Sequence, residues 1–378
     1  MRSDSQSSEF LRQIDWQDQL HKFEYAHAKP LVKGQIKVFA EDFRVSELMD
    51  IQLEGEGEHI WIRINKQRQN TEQVAKALAR FSGVAYRDVG YSGIKDFFAI
   101  TEQWFSIWRP KGESLDWDQF HCEGVQIIEH GLHSRKLKRG THNANYFEIV
   151  VRNLEADKTN LKDIQQNLND RCEAIKKIGV PNYYGPQRFG RQANNMNQAI
   201  NMLFDDKRIK NRNLRSLFLS SARSWLFNLV VSERVKTNTW QQLMLDEPAN
   251  LDNTNSVFIA TEANAEQNQQ RMLEFDIHPT GPLWGRGVDK LMNQNSHLTC
   301  LERDCLASYT ELCEGLEKAG LEYQRRSLRL RPKELQWHFE GDKLYLSFEL
   351  GKGQFATSVL RELVVDFDND TSRKAHER

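Results

Sequence analysis

The chain has 378 residues, which suggests two domains, and 39% of them are apolar, enough to build cores. A charged fraction of 28% at a net charge of −1 excludes a disordered polyelectrolyte and gives no global field for a polyanion, so nucleic-acid contact must rest on local basic patches. Five cysteines, an odd number without a CxxC pair, exclude a disulfide framework, and the spacing of Cys300, Cys305 and Cys313 fits no standard zinc pattern.

The first ten residues lack the apolar stretch of a signal peptide, and no run approaches the ~20 apolar residues of a membrane span. No membrane association is expected, and the cytoplasm is the expected location. Residues 1–30 are polar and predict only short structure. From Gln35 the pattern turns β-like, with Val38, Phe43 and Val45 among polar residues, and Ile60, Ile62 and Ile64 then alternate. Gly55 and Gly57 supply a turn between these runs. Asn70 opens a helix in which Gln73 has capping-box spacing, Val74, Ala77, Leu78 and Phe81 share one face, and Gly83 marks the stop. A loop with a strand behind it spans 91–101, and further strands are expected over 104–108 and 147–151. A long helix follows from about 160 to 178, with Leu161, Ile164, Leu168, Cys172 and Ile175 on one side, ending at Gly179. Residues 180–325 read as more helical, with helices over 220–237 and 302–320. From Trp337 the β alternation returns (Leu344, Leu346, Phe348), followed by a short helix over 357–363 and a polar, frayed tail over 366–378. Mixed β and α, then mainly helix, then β again implies a domain inserted within a discontinuous α+β domain.

Three stretches carry side chains suited to chemistry. In 91–103, a Gly-x-Lys-Asp segment between a helix and a strand puts a carboxylate in a loop bounded by aromatic residues, where partial desolvation and a cation can tune an acid; an ordinary surface turn has the same spacing. The basic runs 133–139 and 325–331 can grip phosphates or simply form a solvated face, and alternation in the second points its arginines to one side of a strand. Arg188 and Arg191 follow Tyr183 and Tyr184, a mixture suited to stacking on bases and meeting phosphate, or to packing a turn. The P-loop, dinucleotide-binding, HExxH and GxSxG patterns are absent, which disfavours phosphoryl transfer, nicotinamide chemistry, zinc hydrolysis and serine hydrolysis.

Taken together these segments resemble the TruD family of tRNA pseudouridine synthases along about 34–363. The family's Gly-x-Lys-Asp-x-x-Ala-x-Thr-x-Gln element stands here as Gly93, Lys95, Asp96, Ala99, Thr101 and Gln103. Further blocks follow the family's order: Lys37 with Glu41, Asp42, Phe43, Val45 and Glu47; Gly55 to His59; Asn145 and Phe147; Val180 to Tyr183; Gln187 to Gly190; and Phe355 to Glu362. Departures are modest: Ala40 stands for a usual proline, Tyr184 for a usual phenylalanine, and Gly351 stands where the C-terminal motif often has proline.

The resemblance implies a pseudouridine-synthase catalytic domain with a mixed, largely antiparallel sheet over 1–178 and 331–378, and an inserted, mostly helical domain over 179–330. It implies isomerisation of a uridine in tRNA, at position 13, without metal or cofactor. Asp96 inherits the catalytic role, with attack on the sugar C1′ or on the base C6 left open. Asn145 is the candidate for holding the carboxylate or the uracil edge. Phe43 and Phe147 are candidates for walling or stacking on the base, Phe355 for completing the pocket, and Lys37 for meeting a phosphate or the base. Neighbours on a strand point apart, so Lys95 is not assumed to pair with Asp96. A monomer is expected. Two other readings are an RNA-binding factor without a reaction and a glycosidic hydrolase, which would need a second carboxylate to activate water.

Overall fold

The computed structural model describes residues 4–110, 114–205, 209–254, 256–287 and 296–365, so the 366–378 tail lies outside the described residues. The chain divides into two units. Of the described residues, one is formed by those within 30–176, 332–356 and 363–365; the other by those within 4–29, 177–331 and 357–362.

In the first unit, nine strands among the described residues join one sheet. They are β1 (Lys33–Gln35), β2 (Phe43–Leu48), β3 (His59–Gln67), β4 (Val89–Tyr91), β5 (Ile100–Trp108), β6 (Val125–His133), β7 (Ala144–Glu155), β8 (Lys333–Glu340) and β9 (Lys343–Gly351). The main path runs β8-β9-β7-β2-β5-β3-β6, with β1 beside β7 and β4 beside β5. Only the β2–β5 pairing is parallel, so the sheet is mixed and largely antiparallel.

Register decides which side chains meet. Val45 lies opposite Thr101 on β5 and Phe147 on β7, Glu47 opposite Asn145, and Phe147 opposite Phe348. Directly opposed residues share a face, so Phe43, Val45, Glu47, Thr101, Asn145, Phe147 and Phe348 line one side of the sheet. The helix Thr71–Ser82 covers β3 and β5 on that side, burying Val74, Ala75, Leu78 and Ala79 against Ile62, Ile64, Phe105 and Ile107. Each large aliphatic side chain so buried contributes about 1.5–3 kcal/mol. The helix has the ends its sequence predicts: Gln73 accepts from the Asn70 N–H at 3.3 Å, and Gly83 takes φ +65°. Trp61, Trp104 and Leu137 fill the other side of the sheet. The helix Leu161–Ile178 buries Ile164, Leu168, Cys172 and Ile175, as its periodicity predicts, whereas Leu161 is exposed.

The second unit is built around the helix Arg212–Lys236, which starts earlier than expected because Asn211 caps it, accepting from the N–H groups of Asn213 and Leu214. Trp225 of this helix meets Trp16 at 5.0 Å, Phe23 at 5.2 Å and Phe189 at 5.6 Å between ring centroids. Polar though it is in composition, the opening segment places Leu11, Trp16, Leu20 and Phe23 in this core. The helix expected over 302–320 is two helices, His297–Leu306 and Thr310–Lys318, separated by a 3-10 turn at Ala307–Tyr309. A four-stranded antiparallel sheet, ordered Val257–Ile259, Pro248–Leu251, Ile277–Leu283 and Gln324–Ser327, also belongs to this unit and is absent from the sequence reading.

The basic run 325–331 needs a correction. Its arginines do not form one solvent-facing row. Arg325 is buried in an ion pair with Glu302 at 2.8 Å, and Arg329 is buried with bonds to His278 Nδ1 and to the carbonyls of Met272 and Ile277. The strands that hold them lie inside the unit, so alternation selected an inner face.

Candidate active site

Asp96 sits in the loop that leads into β5, on the sheet side lined by phenylalanines. Its side chain is 36% accessible, so a ligand can reach it. The Phe98 N–H donates to Oδ1 at 3.1 Å. The Lys37 ammonium donates to Oδ2 in a short ion pair. The same ammonium stands 4.4 Å from the centroid of the Phe43 ring. Phe43 meets Phe147 edge-on at 6.2 Å, and Phe147 stacks on Phe348 at 5.6 Å. One lysine therefore links the carboxylate to a chain of three rings.

Lys37 holds this position from a left-handed backbone conformation, φ +57°, which costs a non-glycine residue roughly 1–2 kcal/mol. The segment after it is fixed from the far side. Asp42, 1% exposed, accepts from Arg152 at 2.8 and 2.9 Å and from the Phe39 N–H at 2.9 Å. Phe43 follows immediately, so that anchor also sets the ring.

The Asp96 loop is held at four other points. The Thr71 hydroxyl, at the start of its helix, donates to Gln103 Oε1 at 2.8 Å and accepts the Lys95 N–H at 3.0 Å. Gln103 Nε2 donates back to the Gly93 carbonyl at 3.2 Å. The Gly93, Lys95 and Gln103 positions of the sequence motif are thus one hydrogen-bonded closure. Lys66, fully buried at the end of β3, donates to the Asp96 carbonyl at 3.1 Å and the Gln69 carbonyl at 2.8 Å. Burial brings its ammonium down to about 8, against the attraction of Asp96. At the loop's first turn, the Ser92 hydroxyl contacts His142 Nδ1 at 2.5 Å and accepts the His142 N–H at 2.9 Å.

Lys95 turns away from Asp96, as strand alternation implies. Its ammonium reaches Glu47 Oε1 at 3.0 Å and donates to Asn145 Oδ1 in a short hydrogen bond. Burial raises the Glu47 carboxyl and lowers the Lys95 ammonium, and each charge opposes the other's shift. The Trp104 N–H adds a bond to Glu47 Oε2 at 3.1 Å. Asn145 Nδ2 lies 3.4 Å from His142 Nε2. Burial holds the His142 imidazole down at about 4, with the charges of Lys95 and Lys352 acting in the same direction.

Of the residues picked out in the sequence, Asp96, Lys37, Phe43 and Phe147 form one connected group. Asn145 joins through Lys95, which belongs to the same loop as Asp96. Phe355 is half-buried in the turn between β9 and the helix Ala356–Leu363, a turn closed by Gln354 N to Gly351 O at 3.2 Å. Asn145 pairs with Leu350 at that end of β9. Thr71, Lys66, Glu47, Ser92 and His142 escaped the functional reading. For Glu47 and Lys66 a signal existed: each occupies a core-facing place in an alternating strand, beside Phe43 and Val45 or Ile62 and Ile64.

Comparisons with known proteins bear on the family and the fold. A family model described as tRNA pseudouridine synthase D (TruD) matches residues 19–207 and 192–363. The tRNA pseudouridine synthase D of Methylococcus capsulatus is 41% identical over 344 residues, covering 91% of this chain and 94% of that protein. That of Aeromonas hydrophila is 41% identical over 345 residues, with 91% and 94% covered. A crystal structure of a Methanosarcina mazei protein described as tRNA pseudouridine synthase D superimposes with a TM-score of 0.71 at 19% identity, covering 92% of this chain and 97% of that one, which speaks to the fold.

Proposed function

The chain belongs to the TruD family of tRNA pseudouridine synthases, and from that premise we propose that Asp96 is its catalytic carboxylate and uridine 13 of tRNA its target. The observation that carries the assignment of Asp96 is the Lys37 bridge. A reachable carboxylate is paired with an ammonium that also faces Phe43, next to Phe147.

Pseudouridine formation breaks the N1–C1′ bond, turns the base and joins C5 to C1′; the proton on C5 is lost and N1 gains one. The uridine must first leave its stack, at a cost of about a few kcal/mol. Stacking on a protein ring returns about 1–3 kcal/mol per base, and Phe43 and Phe147 offer the rings, with Phe355 closing the pocket. Asp96 acts ionised, as nucleophile or as stabiliser of positive charge at C1′. Lys37 fixes the oxygen it touches, and the Phe98 N–H orients Oδ1. Asn145, steadied by Lys95, presents its amide to the uracil edge. A monomer in the cytoplasm is part of this reading; no helix among the described residues is long and apolar enough to cross a membrane.

Pseudouridine mapping of tRNA treated with the purified protein tests the proposal. Conversion at position 13 without release of free uracil is the expected result. Release of uracil would favour hydrolysis, and conversion elsewhere would overturn the assignment of the target position.

A further inference from the structure

The two ends of an asparagine amide have nearly the same shape, so hydrogen-bonding partners decide which end is the oxygen. At Asn145 the partners leave one answer. The Lys95 ammonium has donors and no acceptor, so the amide atom that it touches must be Oδ1. Nδ2 is then the atom 3.4 Å from His142 Nε2, which makes Nε2 an acceptor and puts the imidazole proton on Nδ1. The Ser92 hydroxyl stands 2.5 Å from that Nδ1 and accepts from it, with its other lone pair on the His142 N–H at 2.9 Å. From Ser92 to Lys95, each donor meets an acceptor.

Two further features keep the amide from turning over. Lys95 and Glu47 are both buried, with Glu47 Oε1 3.0 Å from the ammonium. Burial works to strip the Lys95 proton, and the Glu47 charge opposes that loss. The proton matters because a neutral amine has a lone pair and could accept from Asn145 Nδ2 instead. Glu47 is itself fixed by the Trp104 N–H, 3.1 Å from Oε2. On the other side of the amide, burial and the charges of Lys95 and Lys352 hold His142 neutral, the form in which Nε2 accepts.

Asn145 is half-buried, so its amide can be reached. Each end keeps one more hydrogen-bonding position, a second lone pair on Oδ1 and a second hydrogen on Nδ2. The edge of uracil offers an N3–H donor beside a carbonyl. That of cytosine offers a bare N3 beside an amino group or a carbonyl. An amide free to turn over could serve either base. Held one way, Oδ1 takes the uracil N3–H while Nδ2 donates to the carbonyl beside it. A cytosine in the same place would set its N3 lone pair against Oδ1.

We propose that Glu47, Lys95 and His142 are positioning residues that hold the Asn145 amide in one orientation, and that this orientation makes the site accept uracil and reject cytosine. The proposal rests on the reading above that Asn145 meets the uracil edge. Discrimination then comes from the mismatch imposed on the wrong base as much as from the bonds offered to the right one.

The test uses the full chain and two transcripts of one tRNA, with uridine or cytidine at the modified position. Single-turnover kinetics give the half-saturating concentration of the uridine transcript, and competition gives the inhibition constant of the cytidine transcript. Phosphate contacts are common to both, so the ratio of the two constants reports the base. Wild type is expected to hold the cytidine transcript about tenfold more weakly, or worse. Lys95→Met/Glu47→Gln removes the ammonium without leaving a buried charge, and should bring the ratio within about threefold of one. A merely structural role would lower stability or the rate constant and leave the ratio where it was. Lys95→Gln/Glu47→Gln, whose new amide can itself turn over, should have the same effect and carries the test if the first variant does not fold by circular dichroism. A ratio kept by either folded variant would overturn the proposal, as would a wild-type ratio near one. Asn145→Ala tests the premise separately. It should also collapse the ratio; if it does so while the Lys95 variants do not, only the positioning role fails, and if it leaves the ratio intact, the reading of Asn145 fails and the proposal with it.

Discussion

Lys37 and Asp96 are 59 positions apart in sequence, yet their side chains form an ion pair in the site. A hydrogen bond to a charged partner is worth about 1.5–3 kcal/mol, and if Lys37 acts chiefly in the transition state that corresponds to about 10–100-fold in rate. Lys37→Met is therefore expected to lower kcat by that factor while tRNA affinity changes less than about threefold, because backbone phosphates dominate affinity. Steady-state kinetics with a tRNA transcript check this, and an unchanged kcat would remove Lys37 from the mechanism. At this scale the sequence was legible where a residue sat inside a motif. Asp96 alone resembled a surface turn; the surrounding Gly93, Thr101 and Gln103 changed its reading. The partners were legible only as candidates: Lys37 was expected to meet a phosphate or the base, and its pairing with the Asp96 carboxylate was not foreseen. Lys66 was given no role, and Glu47 stood only as a member of a motif block, although the period of their strands put both on a core-facing side.

The element that matters most is the loop from Ser92 to Ala99. Residues from four other places close it: Thr71 from a helix start, Lys66 from β3, Glu47 from β2, and His142 from the segment before β7. The His142 joint gives the loop a pH dependence. An imidazole held at about 4 in the folded chain, against an ordinary value of 6.5, binds fewer protons folded than unfolded between those values. Its contribution to stability is thus complete above pH 6.5 and is lost as pH falls toward 4. Thermal melts of wild type and His142→Phe from pH 7 to 4 should show the wild type losing more stability over that window; parallel curves would contradict the assignment. Helix and strand positions followed from periodicity and caps, as at Asn70 and Gly83. The break at Ala307–Tyr309 did not, because it coincides with Tyr309 packing near Phe10 and Trp16, which lie far away in sequence.

Over the whole molecule, local pattern gave the sequence of strand-rich and helix-rich stretches but not the long-range partners. Leu11, Trp16 and Phe23 enter a core formed mostly by residues beyond 180, and Arg325 finds its acid at Glu302. Such pairings are set by tertiary structure, so the polar first thirty residues predicted only short structure, and the charge pattern of 325–331 did not reveal that Arg325 and Arg329 turn inward. The nine-stranded sheet was legible in kind through the family resemblance, and its register is what brings Phe43, Phe147 and Phe348 to one face. The central claim is that this one carboxylate makes pseudouridine. Single-turnover assays of wild type and Asp96→Asn on the same tRNA, with binding measured in parallel, test it most directly. The account predicts a folded Asp96→Asn variant that binds tRNA within about threefold of wild type, since phosphate contacts dominate affinity, and forms no pseudouridine. Normal product formation by that variant would contradict it.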